Sequence, residues 1–118
     1  MRRAISVPHI ISLVCPRAPD WPAAEQCCAA LRESQIQSID AGQVDRASLV
    51  RIYGIRLARR PDAVVGADRL LSDLESSSED QLFLVALEWE GRAYCMLLDS
   101  ALTGLVACFA GEDRRWAP

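Results

Sequence analysis

At 118 residues, half of them apolar and a quarter charged, the chain has room for one domain with a real core and is too apolar to be disordered. Its formal net charge of −3 argues against general nucleic-acid binding. All thirteen basic residues are arginine and His9 is the sole histidine, which removes Schiff-base chemistry, P-loop phosphate binding and a multi-histidine metal site.

In chain order, Ile10 to Cys15 reads as a short apolar strand between the breakers Pro8 and Pro16. Arg2 and Arg3 before an apolar stretch imitate an export signal, but Pro8 and His9 interrupt it and Val14 is too large for the position before a lipidated cysteine. The expected location is the cytoplasm, and no segment is apolar for long enough to insert in a membrane. Three prolines make Cys15 to Pro22 irregular. A helix then begins at Trp21–Pro22 with Asp20 as its cap and runs through the strong helix formers Ala23 to Glu33.

Ser34 to Asp40 reads as an exposed strand, with a turn at Ala41–Gly42. Ala47 to Ala58 fits two patterns. Leu49, Tyr53, Ile55 and Leu57 share one face of a strand, whereas Leu49, Ile52 and Tyr53 suit a helix. Gly54 disfavours the helix by about 1 kcal/mol, so the reading leans to strand. Arg59 to Asp62 is a turn, Ala67 to Glu75 a short helix burying Leu70, Leu71 and Leu74, and Ser76 to Asp80 a solvated loop.

Gln81 to Trp89 and Arg92 to Leu98 read as a β-hairpin turning at Glu90–Gly91, where glycine accepts positive φ. Both faces of the first strand are largely apolar, which predicts a central position covered on both sides. Asp99 or Ser100 then caps an amphipathic helix carrying Leu102, Leu105, Val106 and Phe109, and Gly111 stops it. The fold class expected is α+β, one domain over 1–118 with a mostly antiparallel sheet, helices on one or both faces, and a C-terminal hairpin followed by that helix. The abrupt ending at Arg114-Arg115-Trp116-Ala117-Pro118 points to a truncated piece of a longer protein.

The five cysteines have no C-x-x-C spacing, and the adjacent Cys27 and Cys28 are badly placed to bond each other or to share one metal. All five are expected as free core residues in a reducing compartment. A thioredoxin-like reading finds only one thiol at Cys15-Pro16-Arg17-Ala18.

Two constellations carry chemistry. Asp62 with Glu88 and Glu90 imitates the carboxylates of a metal-dependent nuclease, but Glu90 stands where the lysine of that motif belongs. The second is a charged surface. Arg46, Arg51, Arg56, Arg59 and Arg60 cluster ahead of the acid-rich run Asp68, Asp73, Glu75, Glu79 and Asp80, with Trp21 and Trp116 as anchors. The expected role is protein–protein recognition without cofactor or metal, through a partner of complementary charge, with homo-oligomerisation as one form of it. An inhibitor or immunity-type protein is an alternative, and the degenerate nuclease another.

The run Leu84-Val85-Ala86-Leu87-Glu88-Trp89-Glu90-Gly91-Arg92, then Cys95-Met96-Leu97-Leu98-Asp99, then Leu102 to Gly111 resembles a hairpin-plus-helix unit. Such a unit occurs in the N-terminal region of type III secretion cytoplasmic-ring proteins and their flagellar motor-switch relatives. The resemblance covers about a quarter of the chain. It implies a non-enzymatic scaffold or chaperone-type domain of the bacterial cytoplasm that docks other secretion components.

Overall fold

The computed structural model describes residues 1–60, 62 and 64–112. Six strands, β1 (Arg2–Ser6), β2 (Ser38–Asp45), β3 (Val64–Val65), β4 (Gln81–Trp89), β5 (Arg92–Leu98) and β6 (Leu105–Gly111), form one sheet in the order β1-β2-β4-β5-β6-β3. Every neighbouring pair is antiparallel. Helices α1 (Val7–Val14) and α2 (Pro22–Glu33) cover one face, and α3 (Arg46–Arg59) and α4 (Ala67–Glu75) the other. The α+β class and the antiparallel sheet expected from the sequence are what the chain forms.

The hairpin β4–β5 has the expected bounds, with Phe83 opposite Leu98 and Trp89 opposite Arg92. Its two-residue turn holds Glu90 at φ 50° and Gly91 at φ 77°, the positive values that match the twist of the strands. Helix α4 also falls where the leucine spacing puts it, with Leu70 and Leu74 buried and Leu71 half-buried. Before it, Gly66 adopts φ 92°, and a Cβ there would lie 2.9 Å from that of Ala23, so this turn requires glycine.

Three expected elements are corrected. Residues 10–15 are not a strand. Ser6 caps α1 by accepting the His9 N–H at 3.3 Å, Pro8 sits in the first turn where it is tolerated, and Val7, Ile10 and Val14 form a helical stripe. The strand lies earlier, at Arg2–Ser6. The stretch 47–58 is helical as well. Asp45 caps α3 by accepting from Ser48 N at 3.1 Å, and Leu49, Tyr53 and Leu57 bury a stripe at intervals of four. Burying each contributes about 1.5–3 kcal/mol, which outweighs the cost of Gly54.

The third correction is at the C-terminal end, where Leu105–Gly111 is strand β6 and not an amphipathic helix. Ala107, Cys108 and Ala110 are as buried as Leu105 and Phe109. A helix would have turned part of this run to water, whereas a strand between β5 and β3 buries both its faces. Asp99 does cap, but it caps a loop. Its carboxylate accepts from Thr103 N and Thr103 Oγ1, both at 2.7 Å. Leu102 takes φ 58° there, and its carbonyl accepts from His9 Nε2 at 2.8 Å, which fixes the single histidine as a structural tie to this loop.

Smaller differences follow the same logic. The N-cap of α2 is Trp21 without a side-chain cap bond, so Asp20 does not cap it. Strand β2 runs through Ala41–Gly42 instead of turning there, with Gly42 opposite Arg2 on β1 and Leu84 on β4.

The core has two halves. Ile10, Val14, Leu31, Phe83 and Met96 lie between the sheet and α1/α2, and Tyr53, Leu70, Leu74, Leu97 and Phe109 between the sheet and α3/α4. In the second half the Tyr53 and Phe109 rings meet edge to face, centroids 5.0 Å apart.

Cys15 and Cys28 are joined in a disulfide, their Cα atoms 5.8 Å apart, which overturns the expectation that all five cysteines are free. The single 3₁₀ turn Cys15–Arg17 and the prolines after it double the chain back on α2, so the partner of Cys15 stands thirteen residues onward. Cys27, Cys95 and Cys108 are free and buried as expected. A hydrogen bond with the Cys108 side chain, and then burial, push the Cys27 thiol well above its ordinary value, and burial pushes Cys95 up to about 12.

Candidate partner-docking site

Helix α3 positions most of the basic cluster. Its Leu49–Tyr53–Leu57 stripe faces the sheet, so at 100° per residue the opposite side presents Ser48, Arg51, Ile55 and Arg59, with Ile52 on the flank next to them. Ile52 is 39% exposed and Ile55 52%, large apolar side chains that the fold leaves in water. Arg51 and Arg59 are exposed beside them, and among the described residues neither forms an ion pair.

The other three arginines differ. Arg56, half-buried on the flank of α3, stacks its guanidinium 5.6 Å from the Tyr53 ring centroid. Arg60 reaches Glu112 on the tail at 3.4 Å, an exposed pair of small energetic weight. Arg46 points inward. It donates through Nε to the Glu79 carbonyl at 2.8 Å and through Nη1 to the Leu74 carbonyl at 3.4 Å, with Asp80 4.0 Å away. It therefore ties the start of α3 to the end of α4 and stands apart from the outer face. The two helices thus run antiparallel.

Trp21 is not beside this cluster. It lies half-buried at the β3 edge of the molecule, the Arg17 and Arg69 guanidinium carbons 5.0 and 4.5 Å from its ring centroid. Trp21, Gly66, Asp68 and Arg69 help to line a cavity of about 210 Å³ there. Trp116 lies outside the described residues.

The carboxylates of the nuclease reading do not converge. Glu88 on β4 pairs with Ala93, Ala93 with Gly111, and Gly111 with Val64 beside Asp62, so three strand spacings of about 4.8 Å separate Glu88 from the Asp62 end of the sheet. Among the described residues no group of three His, Cys, Asp or Glu side chains is placed to hold a metal ion.

The outer face of α3 can bind a surface that offers carboxylates around an apolar centre, because guanidinium forks pair with carboxylates in planar, two-bond fashion. Ile52 and Ile55 supply the centre, and reading the segment as a strand hid them. The signal was present for Ile55, which lies opposite Leu49, Tyr53 and Leu57 on a helical wheel, whereas Ile52 sits on the flank beside Leu49. Among the described residues no helix is long and apolar enough to cross a membrane. Comparison with protein-family models, with curated proteins and with solved structures finds no match.

Proposed function

We propose that this chain is a non-catalytic protein–protein interaction domain that docks an acidic, partly apolar partner surface on the outer face of α3. The observation that carries the reading is the placement of exposed Ile52 and Ile55 between Arg51 and Arg59, arginines with no ion-pair partner among the described residues. Exposed isoleucines rimmed by arginine make the anatomy of a recognition surface, an apolar centre with a charged rim. Scaffold, chaperone-type and inhibitor roles all use such a surface. The secretion-ring resemblance supplies less support, because the hairpin of that motif is present but its helix is replaced by β6.

The test is comparative capture. Wild type, Arg51→Glu with Arg59→Glu, and Ile52→Ser with Ile55→Ser serve as baits in extract of the source cells, after circular dichroism shows equal helicity. A protein retained by wild type and lost from both variants is the expected result. Identical profiles on the three baits, empty ones included, overturn the proposal.

A further inference from the structure

Beside the basic outer face of α3 lies an acidic one. On α4 the inward residues are Leu70 and Leu74, and the opposite side presents Asp68, Ser72 and Glu75 at i, i+4 and i+7, all three exposed. Asp73, on the flank, is occupied by Arg69 at 3.6 Å, whereas Asp68 and Glu75 have no ion pair among the described residues. One side of the molecule therefore shows a positive helix and a negative helix in parallel strips, with Ile52 and Ile55 exposed on the positive one.

That pattern is self-complementary. A two-fold axis running along and between the helices lays α3 of one copy over α4 of the other, twice, because two-fold contacts use the same patch on both subunits. Such an axis preserves direction along itself. The C-terminal half of α3 in one copy, with Arg59, then faces the N-terminal turn of α4 in the other, with Asp68. Arg51 likewise faces the end that carries Glu75. Ile55 of each copy, with Ile52 beside it, comes out of water against the other copy's α4.

We infer that the partner on the α3/α4 face is a second copy of this chain, an isologous dimer held by Arg51 and Arg59 against Asp68 and Glu75 around Ile52 and Ile55. The inference rests on the docking role proposed for α3 and names its occupant. The α3/α4 face is about 20 Å long and about 20 Å wide, from the rise and width of two packed helices. That footprint belongs to the small class of interfaces, so the dimer is reversible and weakens as salt screens its charges.

A charge exchange tests it. One variant carries Arg51→Glu and Arg59→Glu, the other Asp68→Arg and Glu75→Arg, and both are compared with wild type by sedimentation equilibrium at high concentration and low ionic strength. Wild type is expected to dimerise, and each variant alone to lose about 100-fold or more in affinity because like charges then oppose. An equimolar mixture of the two is expected to restore the dimer, since both strips are again complementary. Ile55→Ser, at an exposed position that leaves the fold intact, is expected to weaken the wild-type dimer about tenfold.

A monomeric wild type, variants that still dimerise, or a mixture that stays monomeric each overturn the second-copy assignment. The docking reading fails separately. If wild type is monomeric while its baits still lose a different protein on Arg51→Glu with Arg59→Glu, the second copy is wrong and the α3 surface stands.

Discussion

The two faces of the sheet are unequally covered. On the α1/α2 side the cover runs from edge to edge, over Ile5 on β1, Ile39 and Ala41 on β2, Phe83 and Val85 on β4, Met96 on β5 and Ala110 on β6. On the α3/α4 side it reaches Val44 near the end of β2 and Leu82, Cys95, Leu97, Ala107 and Phe109, but leaves β1, the start of β2 and the end of β4 uncovered. There Ala4, Asp40, Ala86 and Glu88 are exposed, and Arg2 pairs with Asp40 at 2.8 Å in the open. The closed side is also the cross-linked one, through Cys15 and Cys28. The comparison teaches a difference in construction: one helix layer closes the core, and the other, narrower and held largely by Tyr53, Phe109 and the α4 leucines, leaves Ile52 and Ile55 in water.

Breaking the narrower layer should have the largest effect. Phe109→Ala, at a fully buried position against Tyr53, is expected to cost about 3–5 kcal/mol in denaturant unfolding. Hydrogen exchange should show the α3 amides losing protection before those of α2. Equal loss in both helices removes the division between the layers.

Reduction of Cys15–Cys28 probes the closed side. Opening a loop of this length should lower stability by about 3 kcal/mol while leaving association through α3 and α4 unchanged. An unfolding midpoint that does not move on reduction argues that the bond does not form.

The smallest effect sharpens the account of α3. Gly54→Ala places a methyl where nothing lies within 4 Å, inside a regular helix, and is expected to stabilise the fold by about 0.5–1 kcal/mol. A loss of stability there contradicts the helical assignment of residues 46–59.

Local pattern sufficed for some elements and failed for others. Helix α4 and the β4–β5 hairpin were legible because leucine spacing, a Glu-Gly turn and alternating runs all agree locally. Strand β6 was misread because Leu102, Leu105, Val106 and Phe109 happen to fall at helical spacing within a run that is apolar on every side, and only its pairing with β5 and β3 decides its form. Helix α1 was missed because Pro8 reads as a breaker until Ser6 is seen to cap the turn that contains it. At the candidate site the arginines were visible as a cluster. Their separation was not: the inward turn of Arg46, the stacking of Arg56 and the prominence of Ile52 and Ile55 depend on helical geometry, and the weight given to Gly54 pointed away from a helix. The disulfide was invisible for a different reason, since pairing residues thirteen apart depends on how the proline-rich turn folds back.

The disulfide has a practical consequence for anyone wishing to attach a probe. The remaining three thiols are sealed in the core, and Cys27 and Cys95 are held protonated at neutral pH. Gentle reduction therefore frees one reachable alkylation handle, the half-buried Cys15, while Cys28, 4% exposed, stays in the core; Cys15 lies on the opposite side of the sheet from Arg51 and Ile55. A fluorophore or a tether to a sensor chip can be mounted there while the outer face of α3 points freely into solution.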